Sequence, residues 1–434
     1  MLTREQNDLL TRTGPGTPGG DLLRRYWQPV ALAEEMPEGA PPKALTILGE
    51  PLVLFRNGRG ELGLMQRQCP HRGADLSFGR IEAAGLRCIY HGWVLDPAGR
   101  CVEMPTDPPQ SPAKERVRHV AYPCREAAGL ILAYMGPGEA PPLPLLPAFL
   151  APPERVWSYK FFHECNYLQG SEGNVDPQHL SFLHRMVTPG AAQDERSREV
   201  DALIAADVTP SIDIEETAYG LRLYAVRNTG PGEKYVRVTN FIMPNAAAFD
   251  GGPVHDPARV RPRPNVGYQM HWHVPIDDVS HWKFALVHSH DSPVDAEFQD
   301  RIIGRRTVTE PYNSPRRRDN GYLQDREEMR ARTYAGLGFS FQEQDRFAVE
   351  SQGPVADRTR EHLGASDRGV VAMRRQMLKA IEDIRAGRDP LMASRTPAAN
   401  PLAEMCVVSE TVPLDRDKRA VWRDFLKQRE HASA

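Results

Sequence analysis

The sequence predicts an α+β protein in two parts: a small all-β unit, then a larger domain with helices packed on an antiparallel sheet. Three observations predict it. Turn-punctuated β-rich segments cluster between residues 44 and 135. A proline-rich stretch from Gly136 to Pro153 resists both helix and strand and reads as a connector. Beyond it, strand character dominates as far as His288, and helical spacing appears at 339–352 and 367–387. A chain of 434 residues is also too long for one ordinary core.

In chain order, residues 1–43 form a helical segment. Leu9 and Leu10, then Leu22, Leu23, Tyr26 and Trp27, flank a Gly/Pro break from Gly14 to Gly20, with Asp21 placed to cap the second helix. Residues 44–145 form the all-β unit. Ala44–Gly49 and Pro51–Phe55 read as strands, Asn57-Gly58-Arg59-Gly60 as a hairpin turn, and Leu130–Met135 as a buried strand. Residues 146–434 form the larger domain. Its strands are expected at Trp157–Tyr167, Gly220–Val226, Tyr235–Met243, Tyr268–Val274 and Trp282–His288, with helical spacing around a Gly/Pro interruption from Gly170 to Met186.

Composition excludes several classes. Apolar residues make up 40% and aromatics 8%, enough for a folded core. A net charge of −3 gives no basic footprint for nucleic acid. No apolar run approaches the roughly 18 residues of a membrane span. The polar start Met1-Leu2-Thr3-Arg4-Glu5 is unlike a secretory signal, so a cytoplasmic location is expected. Six cysteines are too few for a disulfide scaffold, and paired ones point to metal or catalysis. Cys101 and Cys124 lack a partner at metal spacing and read as small buried hydrophobes.

The densest chemistry lies in Cys69-Pro70-His71-Arg72-Gly73-Ala74 and Cys88-Ile89-Tyr90-His91-Gly92-Trp93. Each loop offers one thiol and one imidazole. Zinc knuckles commonly pair cysteine with cysteine and histidine with histidine. A Rieske [2Fe–2S] centre takes two cysteines on one iron and two histidines on the other, which mixed loops supply. Pro70 stiffens the first loop, while Gly73 and Gly92 let backbone amides approach sulfur. A second signal is Asp176-Pro177-Gln178-His179 followed by His184. Two histidines and a carboxylate make the facial triad of non-haem iron sites. Five residues is a poor match to one helix face, so an irregularity is expected there. With 57 acidic residues in the chain, composition cannot choose the third ligand.

Taken together these motifs resemble the Rieske non-haem iron oxygenases. Gly14-Pro15-Gly16-Thr17-Pro18, Tyr122-Pro123-Cys124-Arg125-Glu126 and Glu350-Ser351-Gln352-Gly353-Pro354 are similar to the phthalate dioxygenase branch. The resemblance implies a Rieske β domain followed by a helix-grip catalytic domain. It implies a cluster held by Cys69, His71, Cys88 and His91, and mononuclear Fe(II) held by His179, His184 and Asp345, with Asp357 and Glu350 as alternatives to Asp345. Asp176 would bridge His91 of one subunit and His179 of the next, within a trimer or hexamer. Electrons would come from NADH through a separate flavin and [2Fe–2S] reductase. The reaction would use O2 to cis-dihydroxylate a phthalate- or benzoate-like acid. An aryl-ether O-demethylase is the alternative, and a Rieske electron carrier a distant one. For the substrate, Arg237 shares a strand face with Tyr235, Thr239 and Phe241, Arg222 lies in a neighbouring strand, and Leu180 and Phe182 add apolar bulk near the iron.

Overall fold

A computed structural model of the chain describes residues 1–433 apart from 109, 188–201, 251–264, 297–298, 300–311, 313 and 394–400. The first helix, Arg4–Thr11, starts with a reciprocal capping box between Thr3 and Gln6. The second, Pro18–Arg24, is capped by Thr17 rather than Asp21: Thr17 Oγ1 accepts from the Gly20 amide at 3.2 Å, and Pro18 takes the first helical position. The expected helical run through Trp27 stops at Arg24. Trp27–Leu32 is instead a fully buried strand paired with Leu130–Tyr134, because Pro29 cannot continue a helix and the apolar partner strand covers it. Cys124–Ala127 completes this three-stranded sheet.

Two four-stranded sheets build the rest of the all-β unit. One contains Lys43–Ile47, Glu50–Arg56, Leu62–Gln66 and Ala121–Tyr122; the other contains Arg80–Ile81, Leu86–Arg87, Val94–Leu95 and Cys101–Glu103. The Asn57 turn forms as its sequence dictates, with Asn57 Oδ1 accepting from the amides of Arg59 and Glu61. Val53, Phe55, Met65, Leu76 and Leu86 form a core directly beneath Cys69 and Cys88. Cys101 and Cys124 are buried free thiols. The connector is packed rather than loose: Leu146 and Ala148 are buried, and the Trp27 indole donates to the Pro141 carbonyl at 2.9 Å.

The larger domain is an eight-stranded antiparallel sheet. Its order is Val156–His163, His281–Ser289, Gly267–Pro275, Ala246–Phe249, Glu233–Ile242, Gly220–Gly230 and Ser211–Thr217, with Val408–Pro413 also pairing with Glu233–Ile242. Alternation along strands puts Arg237 and Thr239, then Gln269, His271 and His273, on one face. Cross-strand register sets His273 opposite Lys283 and His163 opposite His281. The helices Tyr167–Asn174 and Phe341–Glu350 contact each other, and the first also packs on this face against Gly267–Pro275. The helix Arg368–Arg385 buries Met373, Met377 and Ile381, and Lys418–Ser433 packs on the opposite face of the sheet against Tyr224, Val236 and Val238. Among the described residues no helix is long and apolar enough to cross a membrane.

Candidate metal centres

The two cluster loops repeat one geometry. The Gly73 amide donates to the Cys69 carbonyl at 2.9 Å, and the Gly92 amide to the Cys88 carbonyl at 3.0 Å. Each turn closes on a glycine in the left-handed region, φ 74° at Gly73 and 76° at Gly92. At Gly92 an added Cβ would also meet Pro105 at 2.7 Å. The two thiols are buried against each other. Burial and the neighbouring Cys88 push the Cys69 thiol up to about 11, opposed by the amides of His71 and Arg72 that donate to its sulfur. The imidazoles of His71 and His91 lie 4.4 Å apart, and Trp93 stacks on His71 at 4.4 Å. His71 Nδ1 is buried with no hydrogen-bond partner. Two adjacent thiols, two adjacent imidazoles and an orphaned ring nitrogen fit a cluster held by Cys69, His71, Cys88 and His91.

The second centre forms where a helix breaks. Tyr167–Asn174 ends at Asn174, Asp176 Oδ1 accepts from the Gln178 amide at 2.8 Å, and His179–Ser181 is a single 3₁₀ turn. That break is the irregularity needed for a five-residue spacing to put two imidazoles at one point. His179 and His184 meet edge-on with ring centres 5.1 Å apart. Arg227, fully buried in the sheet, pins this turn by donating to the Pro177 carbonyl and to Ser181 Oγ, both at 3.1 Å. Phe341–Glu350 brings Asp345 across. Its Oδ1 lies 3.0 Å from His184 Nε2 and 3.7 Å from His179 Nε2. His179 Nδ1 donates to the Asp176 carbonyl and His184 Nδ1 to Gln344 Oε1. With both rings neutral, each Nε2 turns its lone pair toward a carboxylate, an approach that a cation between them would satisfy. Among the described residues, these three form the group whose ligand atoms all lie within 4.8 Å of one another. The alternatives lie elsewhere: Glu350 is buried on Arg346 at 2.9 Å, and Asp357 caps Thr359 at the surface.

A cavity of about 560 Å³ opens from this triad onto the sheet face. Its wall includes Leu180, Ile204, Arg237, Thr239, Phe249, His271, His273 and Lys283. Arg237 is nearly buried and donates to the Asp250 carbonyl at 2.6 Å. Arg222, by contrast, faces the other side, stacked on Trp422 at 3.6 Å and paired with Glu215 at 3.2 Å. Phe182 is also outside the cavity. The 3₁₀ turn swings it outward, 42% exposed, against Tyr334.

Several functional neighbours were missed in the sequence. Lys283 is buried, donates to Gln342 Oε1 at 2.6 Å and lies 3.7 Å from Asp345 Oδ2. Burial pushes its ammonium below the usual range, with Asp345 opposing. His281 Nδ1 faces the Cys165 carbonyl at 2.7 Å, and His273 Nδ1 faces His281 Nε2 at 2.9 Å. Burial drives His271 and His273 well below the ordinary imidazole value, so these two rings are polar but uncharged. Gly170 allows the helix to lie on His273, since a Cβ there would sit 2.2 Å from its ring. The legible signal was His271-Trp272-His273 alternating in a strand, in register with Lys283.

Residues 26–121 match the Rieske [2Fe-2S] domain, and residues 133–433 match the family described as LigXa C-terminal domain like. The chain is 35% identical to the phthalate 4,5-dioxygenase oxygenase subunit of Pseudomonas putida, over 98% of this chain and 95% of that one. It is also 35% identical to the 5,5'-dehydrodivanillate O-demethylase oxygenase subunit of a Sphingobium species, over 92% and 85%. The terminal oxygenase of carbazole 1,9a-dioxygenase from Nocardioides aromaticivorans shares the fold, with a TM-score of 0.60 at 20% identity over 88% of this chain and 98% of that one. The cofactors are a Rieske [2Fe–2S] cluster and a mononuclear iron, with O2 as cosubstrate. A two-centre donor set, a Rieske module and relatives matched over nearly the whole chain lead to one conclusion: the chain belongs to the Rieske non-haem iron oxygenases, as an oxygenase subunit of the phthalate dioxygenase-like branch.

Proposed function

We propose that the chain hydroxylates an aromatic carboxylate of the phthalate or substituted-benzoate kind, with cis-dihydroxylation as the leading outcome. The observation that carries this is Arg237, a nearly buried guanidinium in the wall of the cavity that opens at His179, His184 and Asp345. Its planar fork matches a carboxylate. The relatives named phthalate 4,5-dioxygenase and 3-chlorobenzoate-3,4-dioxygenase support the same substrate class.

When bound, the iron supplies oxygen activation and the cluster supplies one-electron transfer. The chain's own residues do the rest. His179, His184 and Asp345 would hold the iron at the cavity wall, where the open volume is free for substrate. Arg237 orients the acid, while Leu180, Ile204 and Phe249 enclose the ring and exclude water. The 5,5'-dehydrodivanillate relative, and a cavity larger than one ring requires, favour O-demethylation as the second reading. A panel of phthalates, benzoates and methoxybenzoates tests both, with diol and formaldehyde measured together. Diol without formaldehyde is expected; formaldehyde alone would establish the demethylase, and neither would refute the substrate class.

The same proposal includes a homo-oligomer, a trimer or hexamer, and NADH feeding a separate flavin and [2Fe–2S] reductase. Ile89 and Tyr90 stand exposed at the cluster tip, which supports docking there by another chain. Asp176 is the proposed bridge from the neighbouring subunit's cluster, with its side chain partly exposed and 3.8 Å from His179 Nδ1.

A further inference from the structure

Each iron-binding imidazole needs its other nitrogen tied to an acceptor, or the ring can turn or carry its proton on the wrong side. For His179 the acceptor is a backbone carbonyl, which no substitution removes. For His184 it is the side chain of Gln344. We propose that Gln344 is a positioning residue for the iron: its carboxamide fixes the tautomer and orientation of His184. The inference rests on the reading of His179, His184 and Asp345 as the iron ligands.

The geometry leaves Gln344 no freedom. It is fully buried on the helix Phe341–Glu350, one residue before Asp345. Its Nε2 donates to the Gly338 carbonyl at 2.7 Å. A carbonyl only accepts, so the amide nitrogen must face Gly338 and the amide oxygen must face the ring. That oxygen lies 2.6 Å from His184 Nδ1, which must therefore be the protonated nitrogen. In the neutral ring the lone pair is then on Nε2, 3.0 Å from Asp345 Oδ1. Phe341 stacks on the ring at 4.4 Å and holds its plane, but a stacking contact does not choose between the two nitrogens. Gln344 makes that choice. It also ties the ring, the Gly338 loop and the Asp345 helix into one unit, so both ligands move together.

The test uses the holoenzyme with Gln344→Leu and Gln344→Glu. Leucine keeps most of the volume and removes both hydrogen bonds. Glutamate keeps an acceptor for His184 and loses the donor to Gly338. Ferrous affinity is read by chelator competition, and the iron environment by the electron paramagnetic resonance of its nitric oxide adduct. The leucine variant is expected to weaken iron binding ~10–100-fold, the range for partners of metal-ligating histidines. Its nitrosyl signal should change while the cluster's visible spectrum stays. The glutamate variant should bind iron close to native strength. Native affinity and an unchanged nitrosyl signal in Gln344→Leu would overturn the proposal. A Gln344→Glu variant that loses iron would also overturn it, and that variant decides the matter if leucine does not fold. His179→Ala, measured in parallel, separates the readings: if that variant keeps iron, the ligand assignment itself fails.

Discussion

At the scale of single residues, the two centres differ in how openly the sequence declares them. The cluster ligands come from two short loops, so their spacing is local and could be read directly. His179 and His184 could be read once the cluster was in view. Asp345 could not be derived among 57 acidic residues, because its placement depends on the distant helix Phe341–Glu350 folding back onto a broken one, and only the resemblance supplied it. Phe182 was misjudged for a local reason: a 3₁₀ turn, not a continuous helix, carries His179, and it turns Phe182 away. His179→Ala should abolish turnover and leave the visible cluster spectrum intact, whereas Cys88→Ser should remove that spectrum. Retained turnover in His179→Ala would contradict the iron assignment. Arg237→Met should cost about 2 kcal/mol of carboxylate binding, roughly thirtyfold in KM for an acid, and leave neutral aromatics unaffected. An equal loss for both would contradict the recognition role.

Among elements, the helix Tyr167–Asn174 leads into the turn that holds the proposed iron ligand His179. Its anchor is Glu172, which accepts from Arg358 at 2.7 and 2.8 Å and from Arg374 at 2.7 Å; Arg374 also forks onto Glu361. Burial opposes ionisation of Glu172, but the two guanidiniums hold its carboxyl below the usual range. A lowered folded value means stability present above the ordinary glutamate pKa and lost as pH falls through the folded one. Stability should therefore drop on acidification below about pH 4. Glu172→Gln should cost ~3–5 kcal/mol at neutral pH, since the buried Arg358 loses its counter-charge and Arg374 is left with Glu361 alone. Denaturant unfolding across pH checks both; a variant as stable as the native chain, with the same acid limb, would contradict the anchoring. This network was invisible in the sequence, because Glu172, Arg358 and Arg374 are brought together only by tertiary packing. The strands Gly220–Gly230, Glu233–Ile242, Gly267–Pro275 and His281–Ser289, in contrast, were legible in the sequence, and the helices Phe341–Glu350 and Arg368–Arg385 from periodicity.

On the scale of the whole molecule, the fold separates electron input from oxygen chemistry. The cluster loops carry Ile89 and Tyr90 exposed, and the proposed iron ligands sit above a polar sheet face that includes Arg237 and Lys283. The two-part organisation was legible; the docking of the N-terminal segment was not. Asn166 donates to the Thr11 carbonyl and Tyr167 to the Leu10 carbonyl, so the first helix braces the start of Tyr167–Asn174, and the buried Lys160–Glu35 pair at 2.6 Å ties the N-terminal segment to the strand Val156–His163. Asp176→Asn should keep both metals but slow electron transfer between centres; unchanged transfer would contradict the bridge. The most direct test of the central claim is a single turnover. The purified protein is reduced chemically, mixed with O2 and an aromatic carboxylate, and its cluster spectrum and products are followed together. The account predicts that cluster reoxidation and hydroxylated product rise in step, and that His179→Ala stays reduced and forms none. Reoxidation at the native rate in His179→Ala, or reoxidation without product for every acid tried, would contradict it.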